Sequence, residues 1–285
     1  MAAVRLLVID GNVAEIRARQ QAALGYDSGS GYARVLGGLL PGIVCDVIRP
    51  ADGAAPLPDG MSLEQYHGVT MTGSALNIYN GGEPVERQVE VARAVFAAGV
   101  PFFGSCWGLQ VAVTAAGGTV RRNPRGREFG FARRVQLTDA GRSHPMYAGK
   151  PAVFEAPTIH LDEVSVLPAG TTVLASNEIS LQAATFSYLR GNFWGVQYHP
   201  EYDYLDIAAA AERYGTRLVE EGLFSDDASL AAYAADLRRL QEAPADAALA
   251  WKHGLGAAMT DPALRLAEIR NWLLAEVLPR SGRHD

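Results

Sequence analysis

The sequence predicts an α/β protein: a mostly parallel sheet with crossover helices, then a β-rich stretch, then a helical C-terminal extension. Short apolar runs alternate with helical patterns through the first half, as in βαβ units. From Thr119 to about Pro200 the runs are β-like and separated by turns. After Tyr202 the chain becomes alanine-rich, with helical spacing of its larger apolar residues.

Each element has its own signal. Arg5–Ile9 and Val44–Ile48 are compact apolar runs of strand length, and Gly68–Thr72 is a third that stops at Gly73. Cys45 alternates with Val44 and Val47 and reads as core. Glu83-Pro84 opens a helix, because proline suits the first helical position. Val85, Val89, Ala92 and Phe96 recur at helical spacing and form its buried stripe, and Gly99 ends it. Pro101–Gly104 is the next strand, and Trp107–Ala116 is a helix stopped by Gly117-Gly118. The β-rich stretch offers Phe129–Leu137, Ala152–Glu155, Thr172–Ala175, Ala183–Tyr188 and Phe193–Gln197. Near the C-terminus Asp261-Pro262 is a cap with a first-turn proline, and Leu266, Ile269, Leu273 and Val277 line one helical face. Ala243–Ala248 marks a weak joint between helices. The division expected is a domain over 1–202 and a helical extension over 203–285 packed on it.

A chain of 285 residues, 48% apolar, can bury a full core. Its net charge of −6 and the lack of a basic run with interleaved aromatics argue against nucleic-acid binding. No apolar stretch approaches the ~20 residues that cross a bilayer, and the N-terminal run reads as a strand rather than a signal segment. Two cysteines, Cys45 and Cys106, fit a reducing cytoplasm, and the six scattered histidines show no metal-ligand spacing.

The chemistry concentrates at Gly104-Ser105-Cys106-Trp107-Gly108, between a predicted strand and a predicted helix. That is the context of a nucleophile elbow. Such a turn strains the nucleophile's backbone and crowds the positions two before and two after it, so both are glycine. It also aims a helix N-terminus at the sulfur, which favours a thiolate. A small buried cysteine at a strand end is the plain alternative; the flanking elements and Gln110 favour the nucleophile. A thiol nucleophile needs a base, and the base an orienting group. Gly195-Val-Gln-Tyr-His199-Pro-Glu201 supplies both at the end of another β-like run, although alone it would read as a surface turn.

Taken together these residues resemble the class I, triad-type glutamine amidotransferases, and GMP-synthase-like members in particular. The resemblance rests on Gly104-x-Cys106-x-Gly108-x-Gln110, on His199-Pro200-Glu201, on Thr72-Gly73-Ser74, and on Ile159-His160-Leu161-Asp162-Glu163-Val164 before Leu167-Pro168. It implies a flavodoxin-like open sheet with helices on both faces and the site at the carboxyl ends of the strands. It implies an oxyanion hole from the Gly73 and Trp107 N–H groups, with Gln110 on the glutamyl group. It also implies substrate contacts by Ser74, His160, Leu161 and Asp162. Ile159 and Leu161 depart from the family pattern, which has a small polar residue and glycine there. His160 reads equally as a buried hydrogen-bonded histidine. Glu128, in Arg127-Glu-Phe-Gly130, also matches a recurring motif of the family, and reads first as an exposed strand-edge carboxylate.

The implied reaction is hydrolysis of a γ-glutamyl amide through a γ-glutamyl thioester on Cys106, with neither cofactor nor metal. No phosphate-binding loop accompanies it. Ammonia release to a separate synthetase subunit is therefore the first expectation, and stand-alone hydrolysis of a substituted γ-glutamyl amide or peptide the alternative. A non-catalytic binding protein comes last. Tyr233, Leu237, Leu240 and the Trp272 neighbourhood could pack on the chain's own domain, form a homodimer face or dock a partner.

Overall fold

The computed structural model describes residues 3–54, 57–58 and 60–282. The chain opens with β1 (Arg5–Ile9), α1 (Ala14–Leu24), α2 (Ser28–Leu39) and β2 (Val44–Ile48). It continues through β3 (Gly68–Met71), α3 (Glu83–Ala98), β4 (Phe102–Ser105) and α4 (Trp107–Ala115). The middle contains β5 (Thr119–Arg122), β6 (Glu128–Leu137), α5 (Asp139–Ser143), β7 (Val153–His160), β8 (Asp162–Val166), β9 (Thr172–Ser176), β10 (Leu181–Tyr188) and β11 (Gly191–Val196). The helices α6 (Tyr204–Tyr214), α7 (Thr216–Glu220), α8 (Asp227–Glu242) and α9 (Ala247–Lys252) follow. After α10 (Ala257–Thr260) and α11 (Pro262–Arg265), α12 (Ala267–Trp272) runs through a π-helical turn, Leu273–Val277, into α13 (Leu278–Ser281).

One nine-stranded sheet carries the fold, in the order β2-β1-β3-β4-β11-β10-β9-β6-β7, while β5 and β8 pair separately. The strands β2, β1, β3, β4 and β11 are parallel, and those beyond β11 are antiparallel. Period-2 alternation divides the apolar side chains of the parallel half between two cores, one per face. Leu6, Val8 and Phe103 meet Tyr32 and Leu36 of α2 and Ile269 and Trp272 of α12. Leu7, Ile9 and Phe102 meet Val89 and Phe96 of α3 and Leu109 of α4 on the other face. A third core joins Phe131 of β6 to Ile207, Ala211, Leu237 and Leu240 of α6 and α8. Leu237, Leu240 and Trp272 are thus buried against their own chain.

Two differences from the sequence reading have physical causes. The helix α2 escapes propensity reasoning because it contains four glycines. Two of them are places of close approach: a Cβ on Gly29 would lie 2.7 Å from Val47, and one on Gly31 2.8 Å from Tyr26. Asp27 closes its N-terminus with a capping box to Ser30. Strand β7 runs on to His160, beyond the expected Glu155, straight through Pro157. It is the last strand of the sheet, and an edge position tolerates a residue without an N–H.

Candidate active site

Parallel pairing places the carboxyl ends of β1, β3, β4 and β11 side by side, and the loops beyond them converge. Cys106 sits between β4 and α4 with φ 51° and ψ −101°, a strained conformation for a non-glycine residue. Its N–H donates to Val196 O at 2.7 Å, which ties the bend to β11. The flanking glycines are required: a Cβ on Gly104 would lie 2.5 Å from Gly108 C, and one on Gly108 2.5 Å from Met71 O. The Cys106 sulfur is buried, 3.7 Å from Ile159 O. Trp107 opens α4, so its N–H has no intrahelical acceptor and is free for a developing oxyanion. The Trp107 indole is held by a 2.7 Å hydrogen bond to Gln88.

His199 approaches from the turn after β11. Its own N–H donates to Pro157 O at 2.8 Å, and its Nδ1 lies 2.8 Å from Glu201 Oε1. The Tyr202 ring stacks on the imidazole at 4.0 Å and 7°. Burial alone would lower the His199 pKa. Charge and hydrogen bonding from Glu201 and Cys106 overcome it and push the value up to about 10. Gly73 lies against the same ring: a Cβ there would be 2.5 Å from His199 Cε1. The structure therefore brings Cys106, His199, Glu201, Gly73 and Trp107 into one place.

A cleft opens beside Cys106, and Ser74, Gln110, His160, Leu161 and Asp162 all border it. Asp162 accepts from Asn77 Nδ2 at 2.7 Å and from the Tyr79 hydroxyl at 2.9 Å. His160 has both ring nitrogens engaged, with Asp162 O at 3.0 Å and Glu128 Oε2 at 2.9 Å. Here the sequence reading of Glu128 is corrected. It is buried rather than exposed, because strand β6 is covered and its carboxylate collects His160, Gln182 and Asn177. Among the described residues no cluster of three or more His, Cys, Asp or Glu side chains forms a metal site.

Sequence reasoning missed several neighbours. Asn12, after β1, accepts from Ala75 N at 2.9 Å and donates to Gly73 O at 3.3 Å, which fixes the Gly73 loop. The rule that sites form beyond the carboxyl ends of strands points to the Asp10-Gly11-Asn12 turn. Arg127, paired with Glu221 and covered by the Tyr214 ring, also borders the cleft. Its role depends on α6 and α7 folding back, which no local motif announces.

The family model described as glutamine amidotransferase class-I matches residues 49–205. A γ-glutamyl-L-1-hydroxyisopropylamide hydrolase of a Pseudomonas species is 35% identical over 288 residues, covering 99% of this chain and 96% of that protein. A glutamine-hydrolysing GMP synthase of Streptomyces coelicolor is 33% identical over 150 residues, and the match spans only 27% of its length. Among solved structures, a glutamine amidotransferase from Thermotoga maritima aligns over 97% of this chain and 99% of its own. That alignment has a TM-score of 0.65 and 19% identity, a likeness of fold. With a strained cysteine, a buried His–Glu pair and matches over most of its length, the chain belongs to the class-I glutamine amidotransferases, enzymes acting on C–N amide bonds.

Proposed function

We propose that this chain works alone as a hydrolase of substituted γ-glutamyl amides, with Cys106 as nucleophile, His199 as acid and base, and Glu201 as orienting carboxylate. The observation that carries the stand-alone reading is the likeness, over 99% of this chain, to a hydrolase of a substituted γ-glutamyl amide, whereas the match to GMP synthase is partial. A second, narrow recess on the His199 side of the site shares Ser74, Ala75, Ile159 and Tyr214 with the first and gives a substituent on the departing nitrogen a direction away from the glutamyl portion. Ammonia delivery to a separate synthetase would use the same triad.

The raised His199 pKa favours a resting imidazolium beside the Cys106 sulfur. The thiolate attacks the γ-carbonyl carbon, and negative charge moves to its oxygen beside the Gly73 and Trp107 N–H groups. Loss of one such donor typically costs ~3 kcal/mol of transition-state stabilisation. The intermediate collapses as His199 gives its proton to the nitrogen; the C–N bond breaks, the amine leaves and a γ-glutamyl thioester remains. Water then gives a proton to His199 and adds to the thioester, the C–S bond breaks, and glutamate leaves with the Cys106 sulfur free again.

The test is glutamate release by the purified chain from glutamine and from N-alkyl γ-glutamyl amides. Faster turnover of the substituted amides is expected. Turnover confined to free glutamine would overturn the stand-alone reading, and no turnover of any γ-glutamyl compound would overturn the assignment of a self-sufficient hydrolase.

A further inference from the structure

The two cavities share Ser74, Ala75, Ile159 and Tyr214 and differ in what else they contain. The first holds the Cys106 sulfur and Gln110, so the glutamyl portion belongs there. The second holds His199 and Gly73 but neither Cys106 nor Gln110. His199 must reach the departing nitrogen, so whatever that nitrogen carries extends into the second cavity. This step rests on the hydrolase reading above.

The second cavity has a defined chemical character. Ile16 and Ile159 give it apolar walls, and the rings of Tyr202 and Tyr214 also border it. Its amide side chains are already engaged: Gln20 exchanges hydrogen bonds with Ser28, and Asn12 holds the Gly73 loop. Arg213 is different. Among the described residues its guanidinium, half-buried on α6, has no carboxylate within ion-pair distance. Its centre lies 5.4 Å from the Tyr214 ring, and its charge also acts on Tyr202. Arg127 and Arg217, the cations bordering the first cavity, both pair with Glu221. A guanidinium without a carboxylate partner at the wall of a leaving-group cavity is a ready fork for a bidentate anion.

We infer that Arg213 recognises a carboxylate carried by the leaving amine, so that the substrate class is the γ-glutamyl amides of amino acids, γ-glutamyl dipeptides among them. The apolar walls then take the short carbon chain between nitrogen and carboxylate, and Arg213 sets the specificity at its far end.

The experiment compares four compounds with the purified full-length chain: γ-glutamyl-glycine, γ-glutamyl-β-alanine, the neutral γ-glutamyl-ethanolamide and γ-glutamyl-propylamide. A carboxylate preference of about tenfold or more in kcat/KM over the apolar amide is expected, weakening as salt is raised. R213A is expected to reduce turnover of the better carboxylate substrate at least tenfold more than that of the propylamide, with R213K recovering part of the difference. Equal turnover of charged and neutral amides, a hydroxyl preferred to a carboxylate, or an equal loss on all substrates in R213A would overturn the inference while leaving the hydrolase reading intact. Silence on all four compounds would overturn both.

Discussion

At the scale of single residues, Gly73 and His199 define the tolerance of the site. A Cβ on Gly73 would fall 2.5 Å from the imidazole, so Gly73→Ala must push His199 away from Cys106. A displacement of about 1 Å near the reacting atoms costs on the order of 100-fold in rate. We therefore expect kcat to fall roughly 100-fold while the thermal midpoint stays close to wild type; unchanged kcat would show that Gly73 does not support the imidazole. Cys106→Ser should reduce glutamate release by more than about 10³-fold, since a hydroxyl beside the same base is far harder to ionise. The His199 pKa also makes a stability prediction. The folded value of about 10 lies above the ordinary 6.5, so the pair stabilises the fold fully below pH 6.5 and loses that contribution as pH rises through 10. Cys106→Ala removes one of the two groups that hold the value up. Its alkaline loss of stability should begin at lower pH than in the wild type, read by denaturant unfolding across pH 6 to 10.5. Superimposable profiles would mean that the sulfur does not face the imidazole.

Among the elements, the C-terminal helices reach the turn that carries His199. Arg265 of α11 donates to Pro200 O at 2.9 Å and to Tyr202 O at 2.5 Å, so its guanidinium brackets Glu201. Glu268 of α12 accepts from the Tyr198 hydroxyl and from Lys150, both at 2.5 Å, in a fully buried network next to His199. Burial pulls the Lys150 pKa below its usual value despite Glu268. Arg265→Ala should lower kcat by about 10- to 100-fold with KM little changed, because the loop that aims His199 loses its anchor. A loss in KM alone, or in thermal midpoint alone, would reduce Arg265 to a structural contact. This level also marks what the sequence could reveal. The strained bend at Cys106 was legible because Gly104 and Gly108 are fixed by local crowding, and β1, β2 and α3 because their apolar periods are local. Arg265, Arg127 and Tyr202 carry no such mark: their partners are set by how α6 to α12 fold back. The burial of Glu128 was hidden for the same reason, since His160 and Gln182 reach it only across strands β7 and β10.

Over the whole molecule, the first and last parts of the chain share one core. Trp272, fully buried, lies in the same cluster as Leu6, Val8 and Val196. Its ring is 5.8 Å from Phe103, and a Cβ on Gly68 would lie 2.8 Å from it. Strand β3 can therefore sit as it does only because Gly68 leaves room for a side chain some two hundred positions later. If this core is continuous, a cavity at its C-terminal edge must weaken the sheet itself. Trp272→Ala should cost about 3–5 kcal/mol and lower the thermal midpoint by on the order of 10 °C, in a single transition. Trp272→Phe should cost less, because it keeps most of the apolar volume and removes an indole N–H that has no hydrogen-bond partner among the described residues. Two separate transitions in Trp272→Ala, with the sheet melting as in the wild type, would mean that the C-terminal helices fold as a unit of their own. The hold of Arg265 on the His199 turn would then depend on a loosely coupled appendage, and turnover would fail well below the melting of the sheet.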